Sequence, residues 1–168
     1  RPIIVGLAGG TASGKTTLAK AVVDAFEGRV ALLHHDDYYC DLSHLSVKEH
    51  AASNFERLEA IDTDLMLNDL AALLSGRAVQ VPLYDFAAHS RVGLGETVQP
   101  RPIIIVDGLM VLAEPKLTPL LDLRVFVDVD DDTRFIRRLT RDVQDRGRSV
   151  ESVIAQYQAT VKPFHDDV

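Results

Sequence analysis

Gly9-Gly10-Thr11-Ala12-Ser13-Gly14-Lys15-Thr16 fits the pattern G-x-x-x-x-G-K-[S/T]. Its glycines let the backbone curl so that successive N–H groups face a phosphate oxygen. A short apolar, β-branched run, Pro2–Ala8, precedes it. After it, Leu18, Val22, Ala25 and Phe26 recur at helical spacing, and Gly28 ends the pattern. Strand, loop and helix in that order confirm a phosphate site, because the helix turns its positive end toward the same anion. The motif places Lys15 at the β- and γ-phosphates and the Thr16 hydroxyl on Mg²⁺. It therefore narrows the function to nucleoside triphosphate chemistry with Mg²⁺, without yet fixing a reaction. Other nucleotide chemistries lack their marks. There is no Asn-Lys-x-Asp guanine motif and no G-x-G-x-x-G, and Leu74-Ser75-Gly76-Arg77 lies too early and lacks the second glycine of an ABC signature.

The remaining chain alternates strands and helices. Val30–Leu33 reads as a strand running into His34-His35-Asp36-Asp37-Tyr38-Tyr39, and Ser43–Phe55 is polar and irregular. Asp62–Leu74 reads as a helix capped by Asp62, with Leu65, Met66, Leu70, Leu73 and Leu74 as its buried stripe. Val79–Leu83 is a short strand, and Tyr84–Thr97 reads as a small hairpin. Pro102–Val106 and Leu123–Val127 are further apolar strands; Asp130–Arg146 and Ser149–Lys162 read as helices. Such alternation predicts an α/β fold with a mostly parallel sheet. The 168 residues suit one domain.

Charge and cysteine content narrow the setting. The net charge is −7, which disfavours non-specific wrapping of nucleic acid. No apolar run approaches the roughly 20 residues of a membrane helix. Cys40 is the only cysteine, so no intrachain disulfide is available and a cytoplasmic location is expected. No signal peptide is visible, and the chain starts at Arg1.

A kinase of a small hydroxyl compound needs a carboxylate for the attacking hydroxyl and acids that organise Mg²⁺. Asp36 and Asp107 both follow apolar strands, at the sheet edge where parallel folds bind ligands. Asp36 is the candidate base and a candidate Mg²⁺ ligand, and its neighbour Asp37 competes for the role. Asp107 follows Ile103-Ile104-Ile105-Val106 as a candidate Mg²⁺ ligand. His34, His35, Asp36, Cys40 and His44 lack the second ligand pair that zinc requires. Six arginines fall within fifteen residues: Arg134, Arg137, Arg138, Arg141, Arg146 and Arg148. Three of them, Arg134, Arg138 and Arg141, share a helix face. Arginine suits the clamping of phosphate oxygens, and Gly147 offers a hinge for a lid. The competing reading is a solvated face paired to Asp142 and Asp145.

Together these residues resemble the uridine–cytidine kinase family, within the wider uridine kinase and phosphoribulokinase group. Five blocks carry the resemblance: Gly9 to Thr17, Asp36-Asp-Tyr-Tyr39, Pro82-Leu-Tyr-Asp-Phe-Ala-Ala-His-Ser-Arg91, Val106-Asp-Gly-Leu109, and Phe126 to Pro163 with Arg146-Gly-Arg148 and Gln156-Tyr157 inside it. The third and fifth are specific to the family; the phosphate loop is not. The resemblance implies a three-layer P-loop kinase fold with a β-hairpin insertion at residues 79–100 over the acceptor. It implies transfer of the γ-phosphate of ATP or GTP to the 5′-hydroxyl of uridine or cytidine, giving UMP or CMP in pyrimidine salvage. Asp36 matches the catalytic aspartate. Tyr84, Phe86 and His89 match base-pocket residues. Arg138 and Gln156 match nucleoside contacts, while Arg141, Arg146 and Arg148 match phosphate or lid contacts, and Thr17 closes the phosphate-loop block. A homotetramer is also implied.

Two positions depart from the family pattern. The family usually reads Asn-Phe-Asp-His-Pro-Asp-Ala-Phe-Asp, whose first Asp holds the ribose. Here Asn54-Phe55-Glu56-Arg57-Leu58-Glu59-Ala60-Ile61-Asp62 stands instead. Phe55 and Glu56 are thus the candidate ribose-side residues, with the charge carried one methylene further out. The family also usually has Glu where Asp107 stands. Its members continue past Lys162-Pro163, so the resemblance implies further chain beyond Val168.

Overall fold

A computed structural model describes residues 1–41, 57–86 and 90–165. Four strands form one parallel sheet: β1 (Ile3–Gly9), β2 (Val30–His34), β5 (Ile103–Asp107) and β6 (Leu123–Val127), in the order β2-β5-β1-β6. In register, Leu7 lies opposite Asp107, and Asp107 opposite His34. The carboxyl ends of β1, β2 and β5 therefore meet at one edge.

Side chains alternate between the two faces of each strand, and both faces are buried. Ile4, Ala31, Leu33, Ile104 and Val106 enter one core with Met66, Leu70 and Leu73 of helix α2 (Thr63–Leu74). Leu7, Val30 and Ile105 enter the other with Ala19 of helix α1 (Lys15–Ala25), flanked by Val22 and Val23. Two cores on opposite faces of one sheet make the three layers. Asp62 caps α2 as the sequence predicts, its Oδ1 accepting from the Leu65 N–H at 3.1 Å.

Strands β3 (Val79–Asp85) and β4 (Ser90–Val98) pair antiparallel as a separate two-stranded sheet. This is the hairpin of the α/β kinase expectation. The arginine-rich helix α3 runs Asp131–Gln144. The last helical stretch is less regular than its sequence pattern suggests. It comprises α4 (Val150–Gln156), a π-helical turn over Tyr157–Val161 and α5 (Lys162–His165). No helix among the described residues is long and apolar enough to cross a membrane.

Candidate active site

The phosphate loop links the end of β1 to the start of α1. Gly14 immediately precedes that helix with φ +94°, a left-handed conformation that costs glycine little. The Ser13 N–H donates to the Gly10 carbonyl at 3.1 Å, which tightens the turn. Gly9 answers a packing demand. A Cβ there would lie 2.7 Å from Ser13 Oγ and 2.8 Å from the Val127 carbonyl oxygen. The Ser13 side chain is buried, and its Oγ has no hydrogen-bond partner among the described residues. Gly10, Thr11, Ala12, Lys15, Thr16 and Thr17 complete the turn and the first helical residues, with Ala12 at φ +58°.

Asp107 sits at the centre of the sheet edge. Its Oδ2 accepts from Thr16 Oγ1 at 2.9 Å and lies 3.2 Å from His34 Nδ1. Its Oδ1 is buried without a hydrogen-bond partner among the described residues. A hydroxyl beside a carboxylate with an unmatched oxygen is a donor set that suits a hard cation such as Mg²⁺. The residues present thus fit the metal that the sequence implies. The hydrogen bond to Asp107 holds the His34 imidazole above its ordinary pKa, against an opposing effect of burial.

Asp36 and Asp37 lie in the 3₁₀ turn His35–Tyr38 that continues β2. Both are half-buried at the same edge. Burial raises the Asp37 pKa, and the adjacent Asp36 charge adds to the rise. Tyr38 is fully buried and donates to Asp69 Oδ2 of α2 at 2.8 Å, which anchors the turn to the core.

The hairpin brings aromatic rings to this turn. Tyr84 and Phe86 lie 5.2 Å apart, and Tyr39 lies 5.5 Å from Tyr84 and 6.3 Å from Phe86, all measured between ring centroids. These distances suit edge-to-face and tilted packing. The buried Tyr84 hydroxyl has no hydrogen-bond partner among the described residues, and burial pushes it up to about 12. The candidates Phe55, Glu56 and His89, and the histidine at 44, lie outside the described residues.

Arg91 of β4 ties the hairpin down. Its Nε donates to the Tyr39 carbonyl at 3.0 Å, and its Nη2 donates to the Tyr38 carbonyl at 3.2 Å and to Asp62 Oδ2 at 3.1 Å. In the sequence Arg91 carries no mark of this role.

The arginine cluster pairs to Asp142, as the competing reading expects, but around a carboxylate that is buried rather than solvated. Arg138 donates to Thr11 Oγ1 of the phosphate loop at 3.0 Å and to Gln156 Oε1 at 3.0 Å. Arg148 also donates to Gln156 Oε1. Arg141, Arg146 and Arg148 gather with Arg138 around the fully buried carboxylate of Asp142. Arg134 is not part of this group, although helical spacing puts it on the same face. It is 1% exposed and donates to the Val129 carbonyl at 2.9 Å and to Asp131, so it braces the start of its own helix.

A parallel sheet with helices on both faces, a phosphate loop after its first strand, and a Thr–Asp pair at the same edge define a P-loop kinase fold. The chain matches the phosphoribulokinase / uridine kinase family over residues 4–168, and it belongs to that family. It is 50% identical over 165 residues to a uridine kinase of Chloroflexus aggregans, covering 98% of this chain and 79% of that one. It is 45% identical over 166 residues to a uridine kinase of Streptococcus pyogenes, covering 98% and 80%. Among solved structures, phosphoribulokinase from Rhodobacter spheroides shares the fold with a TM-score of 0.64 at 14% identity, covering 99% of this chain and 68% of that one.

Proposed function

We propose that the protein is a phosphotransferase that moves the γ-phosphate of ATP or GTP to the 5′-hydroxyl of uridine or cytidine. The observation that carries this reading is half-identity, over almost the whole chain, to proteins named uridine kinase. Two structural features support it. The Tyr39–Tyr84–Phe86 rings adjoin the turn that bears Asp36, and the phosphate loop opens on the same edge.

In this mechanism the loop amides and Lys15 hold the donor phosphates. The aromatic rings and His89 hold the base, with Phe55, Glu56, Arg138 and Gln156 on the nucleoside side. Asp36 accepts the proton of the 5′-hydroxyl as its oxygen bonds to the γ-phosphorus. The bond from that phosphorus to the bridging oxygen breaks, and the nucleoside diphosphate leaves. Arg141, Arg146 and Arg148 stabilise the charge on the transferring oxygens. Thr16, Asp107 and Asp36 are the oxygens offered to Mg²⁺, which when bound neutralises charge on the β- and γ-phosphates. The same reading places the protein in pyrimidine salvage, in the cytoplasm and as a homotetramer.

The test is to incubate the protein with ATP, Mg²⁺ and a panel of nucleosides and other small hydroxyl compounds. UMP or CMP is expected, and no pyrimidine monophosphate would sink the reading. Asp36→Asn should lower transfer by at least about 10²-fold while ATP binding persists, since a positioned base contributes roughly 10²–10⁴-fold. Retained activity in that variant, lost instead in Asp37→Asn, would move the role to Asp37.

A further inference from the structure

Asp142 has no place in the sequence-based site, yet it is the best-buried charged group beside it. It lies near the end of α3, with 0% exposure. Arg141 Nε donates to its Oδ1 at 2.9 Å, and Arg141 Nη2 lies 2.8 Å from the same oxygen. Arg146 Nη1 stands 3.5 Å from Oδ1; on the other side, Arg138 Nε and Arg148 Nη1 stand 3.6 Å and 3.7 Å from Oδ2. The backbone closes around the same residue, because the Arg148 N–H donates to the Asp142 carbonyl at 3.0 Å. That bond folds the Arg146-Gly147-Arg148 turn back against α3.

Removing a carboxylate from water is costly unless its partners return the energy. Arg141 does so by its hydrogen bond to Oδ1 and the other three guanidiniums by charge alone, since Oδ2 has no hydrogen-bond partner among the described residues, and the four leave an excess of three positive charges. Arg138 also reaches Thr11, so the excess sits directly on the phosphate loop. Four like charges brought this close without an anion would repel one another and splay. We propose that Asp142 is a positioning residue, an internal counter-ion that holds Arg138, Arg141, Arg146 and Arg148 in a fixed fan before a phosphate arrives. It touches no reacting atom. It acts through the arginines, and the proposal rests on the assignment of Arg141, Arg146 and Arg148 to the transferring phosphate and of Arg138 to the nucleoside beside it.

Charge and position predict opposite effects on binding and rate, which makes the proposal testable. Asp142→Asn keeps the shape of the side chain and removes its charge. The site becomes more positive, so ATP should bind as tightly as in the wild type or more tightly. The guanidiniums lose their fixed fan, so kcat should fall on the order of 10- to 100-fold, the effect of misplacing a group by about an ångström. Asp142→Glu restores the charge and should recover part of the rate. In the background of Arg141→Lys, Asp142→Asn should cost much less than it does alone, because the two residues share one function. A merely structural role would instead lower kcat and ATP affinity in proportion to the folded fraction. That outcome overturns the proposal, as does a kcat within about twofold of wild type. Should the wild type phosphorylate no nucleoside, the reading of function fails separately. The arginine Nε–H resonances then decide: the Arg141 signal should be protected in the wild type and lost in Asp142→Leu, which removes the acceptor oxygen that Asn would keep. Its persistence in the variant overturns the proposal.

Discussion

His35 shows how closely single residues are fitted around the sheet edge. It is 1% exposed, and neither ring nitrogen has a hydrogen-bond partner among the described residues. Its Cβ stands where a side chain on Gly108 would have to go, 2.4 Å from the ideal Cβ position. Burial lowers the His35 pKa and outweighs the opposing charges of Asp36, Glu114 and Asp107. The folded protein therefore holds a neutral ring, while the unfolded chain takes up a proton near the ordinary histidine value of about 6.5. Below that value the unfolded state binds more protons, and stability falls as the pH falls. Urea denaturation between about pH 7.5 and pH 5 should show a steeper loss for the wild type than for His35→Gln. Equal slopes would mean that some other group governs the acid limb. His35 reads in the sequence only as part of a polar cluster, because its burial depends on the packing of β2 against β5.

Among the elements, the β3–β4 hairpin joins the main core through Val79, Val81 and Val98, and Arg91 adds three polar attachments. Two of its acceptors are carbonyls of the turn that follows Asp36 and Asp37; the third is the carboxylate that caps α2. One side chain thus couples the aromatic rings of the hairpin to the turn bearing the candidate base and to the core helix. Arg91→Ala should raise KM for the nucleoside about tenfold, which corresponds to roughly 1.4 kcal/mol, and leave ATP affinity unchanged. Steady-state kinetics with each substrate varied in turn reads both values, and a parallel loss of ATP affinity would contradict the latch. The final helix also deviates for a local reason. Pro163 has no N–H to give the carbonyl four residues back, and its ring crowds that carbonyl. The π-helical turn over Tyr157–Val161 ends two residues before Pro163 and follows Gln156, which contacts Arg138 and Arg148. Strand and helix identities were legible because apolar runs and 3.6-residue stripes are local signals. The strand order was not, since buried parallel strands look alike in sequence. The Arg91 latch joins residues 52 and 53 positions apart. The Asp142 hub was hidden differently: acids at i, i+4 from arginines look like ordinary surface pairing until tertiary packing buries them.

On the scale of the molecule, the net charge of −7 and the binding of a polyanion are reconciled by segregation. The cations nearest the sheet edge are concentrated in Lys15 at the start of α1 and in the arginines of α3 and the turn after it. Outside those seven residues the sequence carries 11 Lys and Arg against 25 Asp and Glu, a balance that repels phosphate. A field of this shape draws anions to one place and weakens as salt screens it. Because this binding belongs to the folded state alone, a nucleotide stabilises the fold by mass action. At one hundred times Kd the gain is about 2.7 kcal/mol. A chain of about this size gains roughly 2–4 °C in Tm per kcal/mol, so ATP with Mg²⁺ should raise Tm by about 5–10 °C. The shift should shrink with rising ionic strength at fixed ATP. In Lys15→Ala it should largely vanish, because that side chain leaves the loop without altering either core. An undiminished shift in Lys15→Ala would place the nucleotide somewhere other than the phosphate loop.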